Sequence, residues 1–444
     1  MNKTLKSIPG SLTAAQGFLT SGVFCDIKRL GTGKGSNKGK KLDLALILSE
    51  VPATVAGLFT TSRVCAAPVK VSVPRAAQAT AQAIVVNSGN ANACTGVRGL
   101  RDAKEMTELT ASLFKLSPES VLVASTGRIG VNLPMANVKR GIRAAAGQMG
   151  SELEKAQQTA EAIMTSDTAR KEVAVEFTLD GRKVRLGGIC KGAGMIQPGM
   201  SPTGARPAAA PAGLHATMLC FLTTDAAIES ATLKAALAEA VANSFNRITV
   251  DGDMSTNDTV IVLANGMAGN TVVTGKTKKD LAQFQAALNH VCLELAKKIV
   301  RDGEGVTRFV TLHVKGAKSF ADADAAARAV ANSSLVKTSW FGGDPNWGRI
   351  LGALGYSPAE IVEEKIDVAY SLPASRKLLY SLKKGQPTKT PFKALCAITA
   401  KPEFDLHINL NLGKSEAVIY AADLTEEYVD FNKGDVSDPT SLGG

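Results

Sequence analysis

No stretch of the 444 residues approaches the roughly 20 uninterrupted apolar residues that a membrane-spanning helix needs, so a bilayer-embedded protein is not expected. No apolar h-region follows Lys3 and Lys6, which argues against a secretory signal. Met1–Gln16 has no acidic residue, which leaves a short transit peptide open. The seven cysteines are odd in number and never form a C-x-x-C pair, which argues against a disulfide scaffold and against a cysteine zinc site. They read as buried small apolar side chains in a reducing compartment, the cytoplasm, or the mitochondrial matrix in a eukaryote. Histidine is scarce as well. Only His215, His290, His313 and His407 occur, and none sits in a nucleophile-elbow pattern, so the usual general base is hard to find.

The net charge of +11 favours anionic partners, with acidic metabolites as good a candidate as nucleic acid. The densest basic run, Lys34 to Lys41, is laced with Gly and Ser and has no aromatic residue for base stacking; it reads as a solvated loop. Neither a nucleic-acid nor a membrane partner is expected.

Strand patterns occur at Leu42–Leu48, in the alternating Val69, Val71 and Val73, and at Ile84–Val86. Helical spacing runs through Arg101–Leu116, Met135–Met149, Glu152–Met164, Glu229–Phe245 and Lys279–Val300. Val173–Leu179 and Lys183–Leu186 flank Asp180-Gly181, a hairpin signal. Met218–Leu222, Thr259–Leu263, Asp405–Leu410 and Ala417–Ala421 read as further strands. The mixture predicts an α/β sandwich with helix-covered sheets. Ser201–His215 stands apart, with five Ala, three Pro and two Gly in fifteen residues, and reads as an exposed linker.

Three neighbouring segments carry a resemblance: Lys191–Pro198 (KGAGMIQP), His215–Leu219 (HATML) and Phe221–Asp225 (FLTTD). Together they resemble the glutamate N-acetyltransferase/ornithine acetyltransferase family of arginine biosynthesis. Further blocks match it in order: Asn87–Gly96, Ala124–Gly130, Ile163–Thr168, Thr249–Asp258, Asp302–Thr307 and Phe341–Ile350. Coverage runs from Gly17 to Ser437. The resemblance implies a layered α-β-β-α sandwich of the self-processing, Thr-nucleophile type. It also implies transfer of acetyl from N-acetylornithine to glutamate by a ping-pong route, leaving acetyl-CoA as a second donor open, with no bound cofactor.

A threonine hydroxyl is almost wholly protonated at neutral pH and needs a base within reach. An N-terminal threonine carries its own, since an α-amine titrates near about 7.7–8. The family's Ala-Thr pair here is Ala216-Thr217, which implies autocleavage at that bond. The products would be a first chain of residues 1–216 and a second of 217–444, assembled as a heterotetramer of two of each. The implied roles are Thr217 as nucleophile, with Thr126 and Gly127 as the oxyanion hole. Substrate contacts would come from Thr165, Lys191, Thr217, Glu304, Asn432 and Ser437. Asp251, Asp253 and Asp258 lack the Gly and Glu positions of an EF-hand and read as a structural turn; no metal is expected.

The chain departs from the family where fifteen residues separate Met200 from Ala216, and where His215 stands in place of the usual Met. Seven residues also follow Ser437. Two rival readings remain: an N-terminal-Thr aminopeptidase or amidase that passes the acyl group to water, and a non-catalytic binding protein.

Overall fold

The structure, a computed structural model, describes residues 5–28, 41–204 and 218–433. The basic run up to Lys40, all of the linker beyond Gly204, Ala216, Thr217 and Ser437 therefore lie outside the described residues. Two sheets organise the chain. The first has ten strands, and its main path runs Lys6–Ser7, Lys171–Leu179, Arg182–Lys191, Leu219–Thr224, Thr259–Ala264, Leu44–Thr60, Thr80–Asn90, Val121–Arg128. Phe18–Val23 and Met200–Ser201 pair with the long strand Leu44–Thr60 off that path.

Leu44–Thr60 explains how one sheet becomes two layers. Its first part pairs with Thr80–Asn90, its register shifts between Leu48 and Ala53, and its last part pairs with Thr259–Ala264. Alternation along each strand then fills three separate cores. Ala45, Ile47, Ile84, Val86, Leu219, Phe221, Ile261 and Leu263 meet in one cluster between the two halves of the sheet. Leu44, Leu46, Val85 and Val123 point the other way, into a cluster with Met106, Val138 and Ile142 of the helices Gly96–Phe114 and Met135–Ala146. Cys220, Leu222, Val260 and Val262 likewise meet Leu233, Leu237, Leu288 and Leu295 of the helices Ser230–Ala242 and Lys278–Arg301. Helices, half-sheet, half-sheet and helices thus stack as the four layers the resemblance implies.

The second sheet has seven strands, in the order Ile248–Thr249, Ser415–Ala422, Phe309–Ala317, Glu403–Asn409, Asp367–Ser371, Leu379–Lys383, Gln386–Pro387. Leu312, Val314, Leu406 and Ile408 bury one face of it against Val330, Trp340, Leu354 and Leu395. The other face carries His313, Asp405 and His407, and all three are half-buried.

One strand expectation is corrected. Val69, Val71 and Val73 lie in the helix Ala67–Ala76. Pro68 sits in its first turn, where a missing N–H costs nothing, and this outweighs the alternating valines. The helix wedges between two cores, Val69 and Val73 facing one and Val71 the other, so period-two spacing serves both sides. The hairpin holds as read: Asp180 (φ 47°) and Gly181 (φ 73°) supply the two left-handed residues of a tight turn between Leu179 and Arg182. Among the described residues no helix is long and apolar enough to cross a membrane. All seven cysteines are free, and Cys25, Cys190, Cys220 and Cys292 are buried.

Candidate active site

The strand Leu219–Thr224 is buried along its whole length, parallel to Thr259–Ala264 and antiparallel to Arg182–Lys191. Met218, also buried, precedes it and is held at both backbone groups. Its N–H donates to Asp258 Oδ1 at 2.7 Å, and its C=O accepts from Thr259 N–H at 3.1 Å. Whatever bond precedes Met218 is thereby presented from a fixed amide.

Asn257, the neighbour of Asp258, reaches the other way. Its Nδ2 donates to the carbonyls of Ser125 and Ala91, each at 2.7 Å. Two consecutive side chains therefore set the distance between the start of the Leu219–Thr224 strand and the Ser125-Thr126-Gly127 turn. Ser125 Oγ also donates to Asn87 Oδ1 at 2.6 Å, which joins the Asn87–Gly96 block to the same corner.

Gly127 sits at φ 127° beside Gly89, and a Cβ there would lie 2.4 Å from the Gly89 carbonyl carbon. Only glycine fits this close approach of two strands. Thr126 is buried, and Lys191 Nζ lies 3.3 Å from its Oγ1. An ammonium can only donate, so Thr126 Oγ1 accepts in this contact and its own proton stays available for another acceptor.

Lys191 is fully buried. Burial pushes its ammonium below the ordinary lysine range, with Asp167 opposing that fall. Asp167 Oδ2 is 4.0 Å from Lys191 Nζ, and the same carboxylate accepts from Lys171 Nζ at 2.6 Å, Gly192 N–H at 2.7 Å and Thr165 N–H at 3.0 Å. Its own burial opposes ionisation. Lys171, Lys191 and the Gly192 N–H outweigh that and hold the carboxyl well below the usual range. Lys171 also pairs with Asp302, which accepts from Thr168 N–H at 3.1 Å.

From Asp302 the chain leads to Glu304. Its N–H donates to Ala193 O at 3.0 Å, and its Oε2 accepts from Asn432 Nδ2 at 2.9 Å. A Cβ on Gly194 would fall 2.4 Å from Glu304 Oε2, so the carboxylate rests directly on the glycine. Gly194→Ala is therefore expected to displace Glu304 and, on the substrate-contact role the resemblance implies for that carboxylate, to raise KM for an amine-bearing substrate on the order of tenfold, about 1.4 kcal/mol. Steady-state kinetics check this, with kcat expected to change less than KM.

The structure thus links Thr126, Thr165, Lys191, Glu304 and Asn432 around the Met218 corner, with Gly127 beside Thr126. Asp251 accepts from Met195 N–H at 2.6 Å and Ile196 N–H at 2.8 Å, the part of a structural turn. Sequence reasoning assigned no role to Asp167, Lys171, Asn257 or Asp302. Three of them lie inside blocks that carry the resemblance, and the signal was a charged or amide side chain flanked by residues with implied roles.

Away from this network, His313 and His407 stack with ring centroids 4.8 Å apart and planes 6° apart. Burial pushes both imidazoles below the ordinary value, His407 to about 4, so the pair is neutral at pH 7. Nothing in the spacing of four histidines points to this pairing; it arises only when the strands come into register.

A family model described as the ArgJ family matches residues 28–434. The chain belongs to the ArgJ family. The arginine biosynthesis bifunctional protein ArgJ of Symbiobacterium thermophilum is 44% identical over 425 residues, 96% of this chain and 98% of that protein. The glutamate N-acetyltransferase of Methanocaldococcus jannaschii is 44% identical over 434 residues, 96% and 99% of the two chains. Among solved structures, the ornithine acetyltransferase of Mycobacterium tuberculosis complexed with ornithine is 33% identical. It matches 45% of this chain and 100% of that one, with a TM-score of 0.40. The ArgJ match takes in every residue of the network above, from Asn87 to Asn432.

Proposed function

We propose that this chain is a self-processing acyltransferase of arginine biosynthesis that moves acetyl from N2-acetyl-L-ornithine to L-glutamate, with Thr217 as the acetyl carrier. The observation that carries the site assignment is the fixed Met218 amide on Asp258, two side chains away from the Ser125–Gly127 turn. Thr217 is the residue that precedes Met218 in the sequence, so this amide is the one its carbonyl is bonded to.

In this reading the Thr217 hydroxyl first attacks the Ala216 carbonyl. The N-to-O shift breaks the Ala216–Thr217 C–N bond, which frees the α-amine and leaves Ala216 as an ester on Oγ; water then hydrolyses that ester, releasing the Ala216 carboxylate and restoring the hydroxyl. In turnover the hydroxyl proton passes to that amine as Oγ attacks the acetyl carbonyl. The Thr126 hydroxyl and the Gly127 N–H receive the oxyanion, the former kept in a donating orientation by Lys191. Collapse breaks the C–N bond, and ornithine leaves with the proton. The glutamate amine then attacks the acetyl-threonine ester by the reverse sequence.

Thr165, Lys191, Glu304, Asn432 and Ser437 hold substrate, with Glu304 pairing an ammonium group. Acetyl-CoA serves as a second acetyl donor at the same threonine, without any bound cofactor. The mature assembly is two first chains (1–216) and two second chains (217–444), in a cytoplasmic or mitochondrial-matrix enzyme.

A hydrolase built on the same nucleophile would consume N-acetylornithine without an acceptor. The expected result is that ornithine release depends on added glutamate and that N-acetylglutamate forms in equal amount. Release at an undiminished rate in the absence of glutamate would overturn the transferase reading.

A further inference from the structure

We propose that His313, Asp405 and His407 form a Zn2+ site on the open face of the second sheet, a site separate from the acetyl-transfer chemistry. The three residues fall together because of strand register. Phe309–Ala317 and Glu403–Asn409 pair in parallel with His313 opposite His407, and Asp405 lies two residues before His407 on the same face. One residue across and one two along make a triangle of side chains rising from a single sheet surface.

One ligand atom from each residue lies within 4.8 Å of the others. Bonds of about 2.0–2.2 Å to a tetrahedral ion would bring such atoms to roughly 3.4 Å apart. Rotation about side-chain torsions of half-buried residues supplies that contraction, with no movement of the hydrogen-bonded strands beneath. His313 Nε2 and Asp405 Oδ2 are already 3.9 Å apart.

Two imidazoles and one carboxylate select a borderline transition ion over Mg2+ or Ca2+, which prefer all-oxygen shells. Three protein ligands leave a fourth position for water. The surroundings supply partners that orient the ligands: Ser371 Oγ lies 3.0 Å from His407 Nε2, and Thr311 hydrogen-bonds the Asp405 carboxylate. Leu312, Val314, Leu406 and Ile408 anchor the same strands in the core on the opposite face.

The test uses tag-free, mature protein and calorimetric titration with Zn2+ alone. Wild type is expected to bind one equivalent per chain at micromolar concentration. His407→Gln and Asp405→Asn should each weaken this at least tenfold, whereas Cys94→Ser, which removes the exposed thiol, should leave it unchanged. Thermal melts of each variant without metal establish that it is folded, and Asp405→Asn stands in if His407→Gln is not. Absence of saturable Zn2+ binding by wild type below millimolar concentration would overturn the proposal, as would binding that survives the ligand substitutions.

Discussion

Thr217→Ala is expected to leave a single polypeptide of the full 46.2 kDa and to lower acetyl transfer on the order of 10⁴-fold or more, above about 5 kcal/mol of transition-state stabilisation. Both losses follow from one atom. Without Oγ there is no nucleophile for the N-to-O shift, so no α-amine is released, and no oxygen can carry the acetyl group. Thr217→Ser separates the two meanings of a dead enzyme. Serine keeps Oγ and loses only a methyl group, so it should still cleave and still turn over at a reduced rate. Denaturing electrophoresis and an N-acetylornithine assay on the same preparations check the pair. Thr217→Ala protein that cleaves normally would remove residue 217 from the mechanism.

Asp167→Asn is expected to carry the second large effect. The carboxylate is the one anion between two buried ammonium groups, Lys171 at 2.6 Å and Lys191 at 4.0 Å, and it also receives two backbone N–H groups. An amide of the same shape keeps one acceptor but turns its NH2 toward donors. Lys171 keeps Asp302 as a partner, but Lys191 loses its ion pair, and breaking a buried pair by removing one partner costs about 3–5 kcal/mol because the other charge stays buried. The fall in melting temperature measures it.

The pH dependence gives a second handle with a definite sign. Asp167 is held well below its ordinary value in the folded chain. Its contribution is therefore complete above about pH 4, the unfolded value, and is lost as pH falls from there toward the lower folded value. The wild type should lose stability over that acid range more steeply than Asp167→Asn. Equal acid sensitivity in the two would contradict the charge assignment. Because Lys191 contacts Thr126, the variant should also transfer acetyl more slowly at temperatures where it remains folded.

The readable parts of the sequence were those in which hydrophobic period and turn chemistry agreed. Lys278–Arg301 is an amphipathic helix at nearly the bounds its spacing predicts, and Asp180-Gly181 makes the tight turn its residue types favour. Spacing misled at Val69–Val73, where a helix buried on two sides carries apolar residues at intervals that also suit a strand.

The site was legible as a set of separate blocks but not as a connected object. Asp167, Lys171 and Asp302 are polar positions that hydrophobic pattern treats as surface, yet Asp167 and Lys171 are buried, and Lys171 pairs with the half-buried Asp302 across 131 residues. The same holds for Asn257: its side chain spans from one strand to the turn at Ser125, 132 residues earlier, and no local signal records that reach. The His313–His407 pair depends on a parallel register that period-two alternation cannot specify.

The most direct measurement is N-terminal sequencing, with intact mass, of both polypeptides in a preparation shown to transfer acetyl from N-acetylornithine to glutamate. The account predicts a second chain that begins Thr-Met-Leu, a first chain that ends at Ala216, and no active material in which residues 216 and 217 remain joined. Full activity in an uncleaved chain, or a new terminus elsewhere between Ser201 and His215, would contradict it.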